Sequence, residues 1–132
     1  MAHFAEIDKE GNVLRVVVIG DDDCLDENGD ESENVGKAFC AEHIDSTNDW
    51  VQCSYNTQRG VHIQGGTPFR WHYPTTNMVY DSTRDAFIGR QPFPSWTFNE
   101  STYEWEPPDP FPDDFKTGNY LWDEETKTWV KE

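Results

Sequence analysis

The residues with the most chemistry per position are few. Four histidines, His3, His43, His62 and His72, and three cysteines, Cys24, Cys40 and Cys53, are the candidate ligands and nucleophiles. Cys40 and His43 stand one helical turn apart, which is half of a metal site, but no second pair lies near them in sequence. The histidines show neither HxxxH nor HExxH spacing, and the cysteines form no CxxC. An odd cysteine count without that spacing points to free thiols in a reducing compartment, not to a disulfide scaffold. Asp26-Glu27-Asn28-Gly29-Asp30 has the composition of a calcium loop. With Gly29 at the sixth loop position, however, Cys24 falls at the first and Val35 at the twelfth, where that chemistry needs Asp and Glu. A solvated loop or a small hairpin with Asn28-Gly29 at its tip fits better. Glu104 and Glu106 flank Trp105 and could act as an acid–base pair beside a sugar-stacking ring, yet nothing else selects a glycosidase. GxSxG, GxxxxGK[ST] and GxGxxG are absent, and Gly65-Gly66-Thr67 signals only a turn. The expectation is no enzyme activity, no catalytic residue, no metal and no cofactor.

The elements that must position these groups are announced by aromatics. Tyr80-Asp81 leads to Phe87, Phe98-Asn99 to Trp105, and Trp122-Asp123 to Trp129, each time seven positions after the first ring. If residues i and i+7 face each other across a hairpin, i+1 pairs with i+6 and four residues form the loop. Four-residue loops built around a type I turn are common, and Asp or Asn at their start can bond the backbone ahead. A facing aromatic pair stabilises such a ladder by roughly 0.2–1 kcal/mol over Ala-Ala. Three short hairpins, each closed by an aromatic pair, are therefore expected.

Earlier in the chain, residues 3–8 and 12–19 read as a hairpin around Asp8-Lys9-Glu10-Gly11-Asn12, a type I turn followed by a glycine at positive φ. Val13 to Ile19 is the most apolar run and is expected to be a central strand buried on both sides. Residues 31–44 carry the helix. Asp30-Glu31-Ser32-Glu33 resembles a capping box, Phe39 is the expected apolar anchor, and Gly36 weakens the helix or admits another backbone. Trp50 to Tyr55 alternates as a strand, with Trp50, Gln52 and Ser54 on one side and Val51, Cys53 and Tyr55 on the other. Short strands are expected at His62-Ile63 and at Phe69 to Tyr73, around Gly65-Gly66. Segments 91–95 and 107–112 are proline-rich and read as semi-rigid joints between hairpins. The whole is an α+β, β-rich chain: a small N-terminal antiparallel sheet with one helix over residues 1–75, then three aromatic-closed hairpins with proline-rich joints over 76–132.

Composition narrows the partners. The 132 residues carry 26 acidic against 10 basic groups, a net charge of −16. Such a surface repels phosphate backbones, so no direct nucleic-acid binding is expected. No apolar run of membrane-spanning length and no secretory leader are visible, so no membrane association is expected and synthesis in a cytosol is. The aromatic content of 14% argues against the disorder that acidity alone would suggest.

Met1-Ala2-His3-Phe4-Ala5-Glu6-Ile7-Asp8, Trp50-Val51-Gln52-Cys53-Ser54-Tyr55-Asn56, Tyr80-Asp81-Ser82-Thr83-Arg84-Asp85-Ala86-Phe87-Ile88, Pro94-Ser95-Trp96 and the run from Tyr120 to Val130 together resemble a family of small acidic proteins of marine tailed phages, cyanophages above all. The resemblance spans nearly the whole chain. Residues 57–79 and the acidic stretch 21–33 depart from it. It implies a virion structural protein, made in the host cytoplasm and present in many copies. A capsid decoration protein docked on other virion proteins, the major capsid protein or tail proteins, is the first expectation. A tail, collar or fibre component is the alternative, and a homo-oligomer is compatible with either. An acidic DNA mimic that inhibits a host nucleic-acid enzyme is a different reading, and a glycan-binding module with an exposed Trp/Tyr platform is a third. The candidate partner-binding residues are Trp96, Trp105, Trp122, Trp129, Tyr80 and Phe87.

Overall fold

A computed structural model describes residues 1–64 and 69–132. The chain forms two compact units, Met1–Arg90 and Gln91–Glu132. The boundary thus falls after the first aromatic hairpin, not at the expected 75/76. The reason is Phe87, which is fully buried among Ala5, Ile7, Val13, Val51 and Cys53 of the first unit.

The first unit is built on a three-stranded antiparallel sheet. β1 (Ala2–Ile7) lies between β2 (Val13–Ile19) and β3 (Asp49–Cys53). The apolar run 13–19 is therefore an edge strand, a correction to the expected central one. A hydrophobic β-branched run fits either place; only the return of β3 onto the far side of β1 decides. Strand pleating sends alternate side chains to opposite faces, and both faces are covered. Ala2, Phe4, Ile19 and Trp50 pack with Cys24 and Cys40 on one side. The second aromatic-containing cluster, around Phe87, fills the other.

Turn chemistry sets the register. Asp8 Oδ1 accepts the N–H groups of Glu10 and Asn12 at 2.9 Å each, and Gly11 takes φ +87°. A Cβ on Gly11 would also stand 2.7 Å from the Tyr80 carbonyl oxygen, so two constraints require glycine there. The β1–β2 register slips between Glu6 and Ile7, which leaves Leu14 as the extra residue of a bulge.

The helix α1 (Glu33–His43) starts two residues later than the expected 31–44 and ends one residue earlier. Its N-cap is Ser32, whose Oγ accepts from Val35 N at 3.4 Å. The buried face is Gly36 and Cys40; Phe39 is only half-buried and Ala38 exposed, so Phe39 is not the anchor. Gly36 admits a ring and not a backbone: a Cβ there would lie 2.3 Å from Phe4 Cζ. Asn28-Gly29 does sit at the tip of a small loop, closed by the Leu25–Glu31 bridge.

β4 (Thr57–Gln58) and β5 (Val61–His62) close on Arg59 and Gly60, both at positive φ, the signature of a type I′ turn. Residues 69–73 are not a strand, contrary to expectation. They are held as irregular chain through Gly60 N to Trp71 O, Tyr73 N to Thr57 O and Phe87 N to Arg70 O. The expected Gly65-Gly66 turn lies outside the described residues.

The aromatic hairpins form in the expected register. β6 (Met78–Asp81) and β7 (Ala86–Gly89) pair Tyr80 with Phe87. β8 (Thr97–Asn99) and β9 (Glu104–Glu106) pair Phe98 with Trp105. β10 (Tyr120–Asp123) and β11 (Thr128–Lys131) pair Trp122 with Trp129. The last loop residue has positive φ in all three: Asp85, Tyr103 and Lys127. The loop-opening side chain accepts two amides each time: Asp81 from Thr83 and Arg84, Asn99 from Ser101 and Thr102, Asp123 from Glu125 and Thr126.

Candidate functional site

Of the expected contact aromatics Phe87 and Trp96 are buried, and Tyr80, Trp105, Trp122 and Trp129 are half-buried within their own units. Phe87 is 0% exposed and offers nothing to a partner. Tyr80 stacks on it at 5.2 Å and donates its hydroxyl to Asp85. Burial and that acceptor push the Tyr80 phenol up to about 12. In the second unit Trp96, 9% exposed, is the hub. Trp122, Trp129, Phe93 and Phe111 surround it at 5.6–6.0 Å. Phe93 and Phe111 come from the proline-rich segments, so these segments join the aromatic cluster as well as connect hairpins, with Phe93 half-buried and Phe111 48% exposed. The indole N–H of Trp122 donates to Glu124 and that of Trp129 to the Asp109 carbonyl. Trp105 is half-buried against Phe98 at 5.1 Å. No Trp stands among the exposed large apolar residues described, whereas Tyr55 is 55% exposed.

What faces outward was not singled out from sequence. Leu121 and Val130 are directly paired across β10 and β11 and are 60% and 48% exposed. They alternate with Trp122 and Trp129, so one hairpin carries two apolar faces, one packed on Trp96 and one open. A cleft of about 460 Å³ adjoins this face, lined by Phe93, Leu121, Trp122 and Val130 together with four carboxylates and Lys131. The signal was present: in a period-2 strand, apolar residues at adjacent positions must fall on opposite faces.

The groups with chemical potential in the first unit are mostly committed. Glu6 is buried and bonded to Arg15 at 2.6 Å and Asn48 at 3.1 Å. The Nδ1 atoms of His62 and His72 accept backbone N–H groups of Gln64 and Arg59. Burial and the N-terminal ammonium lower the His3 pKa; its ring lies 5.1 Å from Tyr55 in a polar cleft of about 420 Å³. All three thiols are buried. Burial pushes Cys40 up to about 11 and Cys53 up to about 12, far from the thiolate a nucleophile needs at neutral pH. Among the described residues no group of three His, Cys, Asp or Glu is placed to hold a metal. Asp26, at the head of the acidic loop, spends Oδ1 on the amides of Asn28 and Asp30. No described helix is long and apolar enough to cross a membrane.

A half-buried ionic clamp lies at the β3 edge. Arg70 forks onto both carboxylate oxygens of Glu33, bonds Asp85 at 2.9 Å and the Gln52 carbonyl at 2.9 Å, and lies over the rings of Phe69 and Tyr80. It joins α1, β3 and the β6–β7 loop. Sequence reasoning missed it because Arg70 and Glu33 are 37 positions apart.

Comparison with family models, with curated proteins and with solved structures yields no match.

Proposed function

We propose that this chain is a structural docking protein of a phage particle, a many-copy decoration protein that seats on other virion proteins, with a tail, collar or fibre station as the alternative. It carries out no catalysis in this reading. The observation that carries it is the open Leu121–Val130 face of a hairpin whose other face is already closed by Trp96. Paired exposed apolar residues rimmed by charged side chains, four carboxylates and Lys131, are what an interface core with a polar rim looks like. The resemblance to small acidic cyanophage proteins supports the same reading. The net charge of −16 keeps unassembled copies soluble and apart from nucleic acid.

The test is quantitative mass spectrometry of purified particles combined with a Leu121→Asp/Val130→Asp variant. Many-copy incorporation of the natural chain, lost in a variant whose free stability is unchanged, is the expected result. Absence of the natural chain from particles overturns the proposal. A salt-sensitive complex with a basic host enzyme would point instead to a DNA mimic.

A further inference from the structure

The two edges of the central sheet are treated in opposite ways. The outer edge of β3 is plugged: Gln52 N–H donates to Glu33 at 2.8 Å, and Gln52 C=O accepts from Arg70 at 2.9 Å. Side chains there stand in for the next strand. The outer edge of β2 has no such cover. At its start Asn12 bridges to Val79, and Tyr80 N–H donates to the Gly11 carbonyl. From Leu14 to Val18, among the described residues, no backbone hydrogen bond exists beyond the ladder to β1. Leu14 and Val18 are 44% and 50% exposed. A long apolar β-branched edge left open is a template for another strand, and natural sheets block such edges unless they use them.

We infer that β2 pairs antiparallel with β2 of a second copy, forming a closed two-fold dimer with one continuous six-stranded sheet. This goes beyond the docking function proposed above and does not depend on it. The chemistry of the edge selects the occupant. Between Asn12 and Gly20 the only charged side chain is Arg15, and Glu6 neutralises it at 2.6 Å. The edge is thus electrically neutral on a chain of net charge −16, which disfavours a basic partner at this place and fits a second neutral, apolar edge. A two-fold axis through Val16 brings the end of each strand that carries Leu14, the bulge residue, beside the end of the other copy's strand that carries Val18, drawing both exposed apolar side chains to the seam. Such an interface is isologous and self-complementary. The Asn12–Val79 bridge and Gly20 limit the paired stretch at its ends. Because the β3 edge is plugged by Glu33 and Arg70, pairing stops at two copies and does not propagate into a fibre.

The charge makes a signature. Two acidic chains repel, so salt that screens them strengthens the dimer, whereas it weakens binding to a basic partner. Sedimentation velocity of the full chain from about 0.05 M to about 0.5 M salt tests this, spanning Debye lengths on either side of 10 Å. The natural chain is expected to be a dimer that tightens as salt rises. Leu14→Lys/Val18→Lys is expected to be monomeric, with circular dichroism unchanged because both sites are exposed. An equal mixture of that variant with Leu14→Glu/Val18→Glu is expected to restore a dimer, now weakened by salt. A natural chain that stays monomeric throughout, or a dimer untouched by the lysine pair, overturns the inference. Particle incorporation is scored separately, so a monomer that still enters particles removes the dimer and leaves the docking proposal standing.

Discussion

Arg70 and Glu33 form a two-pronged ion pair, Nη2 to Oε1 at 2.9 Å with Nη1 on Oε2, and together they engage the backbone N–H and C=O of Gln52 from outside the sheet. The pair therefore does two jobs. It fixes the first turn of α1 against β3, and it denies the β3 edge to other strands.

Removing the guanidinium leaves the Gln52 carbonyl without its side-chain donor, Glu33 with only the Gln52 N–H and Asp85 with only the Tyr80 hydroxyl of the bonds described. Arg70→Ala is expected to cost about 2 kcal/mol in urea unfolding, and Arg70→Lys somewhat less because a point charge keeps the attraction but cannot fork. Burial raises the Glu33 pKa, but the Arg70 and Gln52 hydrogen bonds and the Arg70 charge outweigh it and leave the carboxyl below its ordinary 4.5. A depressed acid stabilises the fold above its unfolded pKa. This contribution is expected to be complete above about pH 5 and to fade as pH falls through the lower folded value, and Arg70→Ala should lose that part of the acid dependence.

Gly36→Ala separates helix propensity from packing. An isolated helix gains about 1 kcal/mol from this change. Here the new Cβ would meet Phe4 Cζ at 2.3 Å, Phe4 Cε1 at 2.6 Å and Cys24 Sγ at 2.9 Å. Phe4 is fully buried and cannot swing away, so overpacking wins. A net loss of about 1–2 kcal/mol is expected, read as a lower thermal midpoint, and Phe4→Leu in the same chain should recover part of it.

The thiols give an alkaline signature. Cys40 and Cys53, pushed to about 11 and about 12, favour the neutral form in the fold. An acid whose folded pKa is raised stabilises the fold below its unfolded pKa and loses that stabilisation as pH climbs toward the folded value. Stability is therefore expected to decline from about pH 9 upward. Native protein at pH about 8 should react with a disulfide reagent orders of magnitude more slowly than in denaturant, where all three thiols are free to ionise. Fast labelling of Cys53 in the native state would contradict its burial.

The last hairpin offers two changes of opposite sign. Lys127 holds φ at 56° and is exposed. Lys127→Gly relieves a left-handed conformation that costs about 1–2 kcal/mol and gives back part of it in unfolded-chain entropy, for a net gain of about 0.5 kcal/mol. Asp123→Ala removes the acceptor of the Glu125 and Thr126 amides, at 3.0 and 3.3 Å, and is expected to cost about 1 kcal/mol. Tryptophan fluorescence during unfolding reports both, since Trp122 and Trp129 flank the loop.

The hairpins were legible because their information is local. A ring, an Asp or Asn, four loop residues and a second ring specify register and turn within eight positions, and no distant residue can easily override them. The same holds for Asp8 to Asn12 and for the alternation around Trp50. Where the chain had to choose between distant partners, sequence was silent or misleading. The run Val13 to Ile19 reads as a strand but not as an edge, because the choice depends on where β3 returns. Phe39 looks like the helix anchor until Phe4 fills the notch over Gly36 and draws that face, with Cys40, inward. The outward pair Leu121 and Val130 was readable in principle, since period 2 places them opposite the two tryptophans. Which face the core would take was settled by Trp96. So the sequence by itself determined the hairpin strands, their turns and the pairing of neighbours, all governed by short-range sterics and hydrogen bonds, but not the irregular course of residues 69–73, which long-range backbone bonds hold. Only the tertiary structure decided which apolar faces are spent inside and which remain open, because burial is a property of surfaces meeting across the chain.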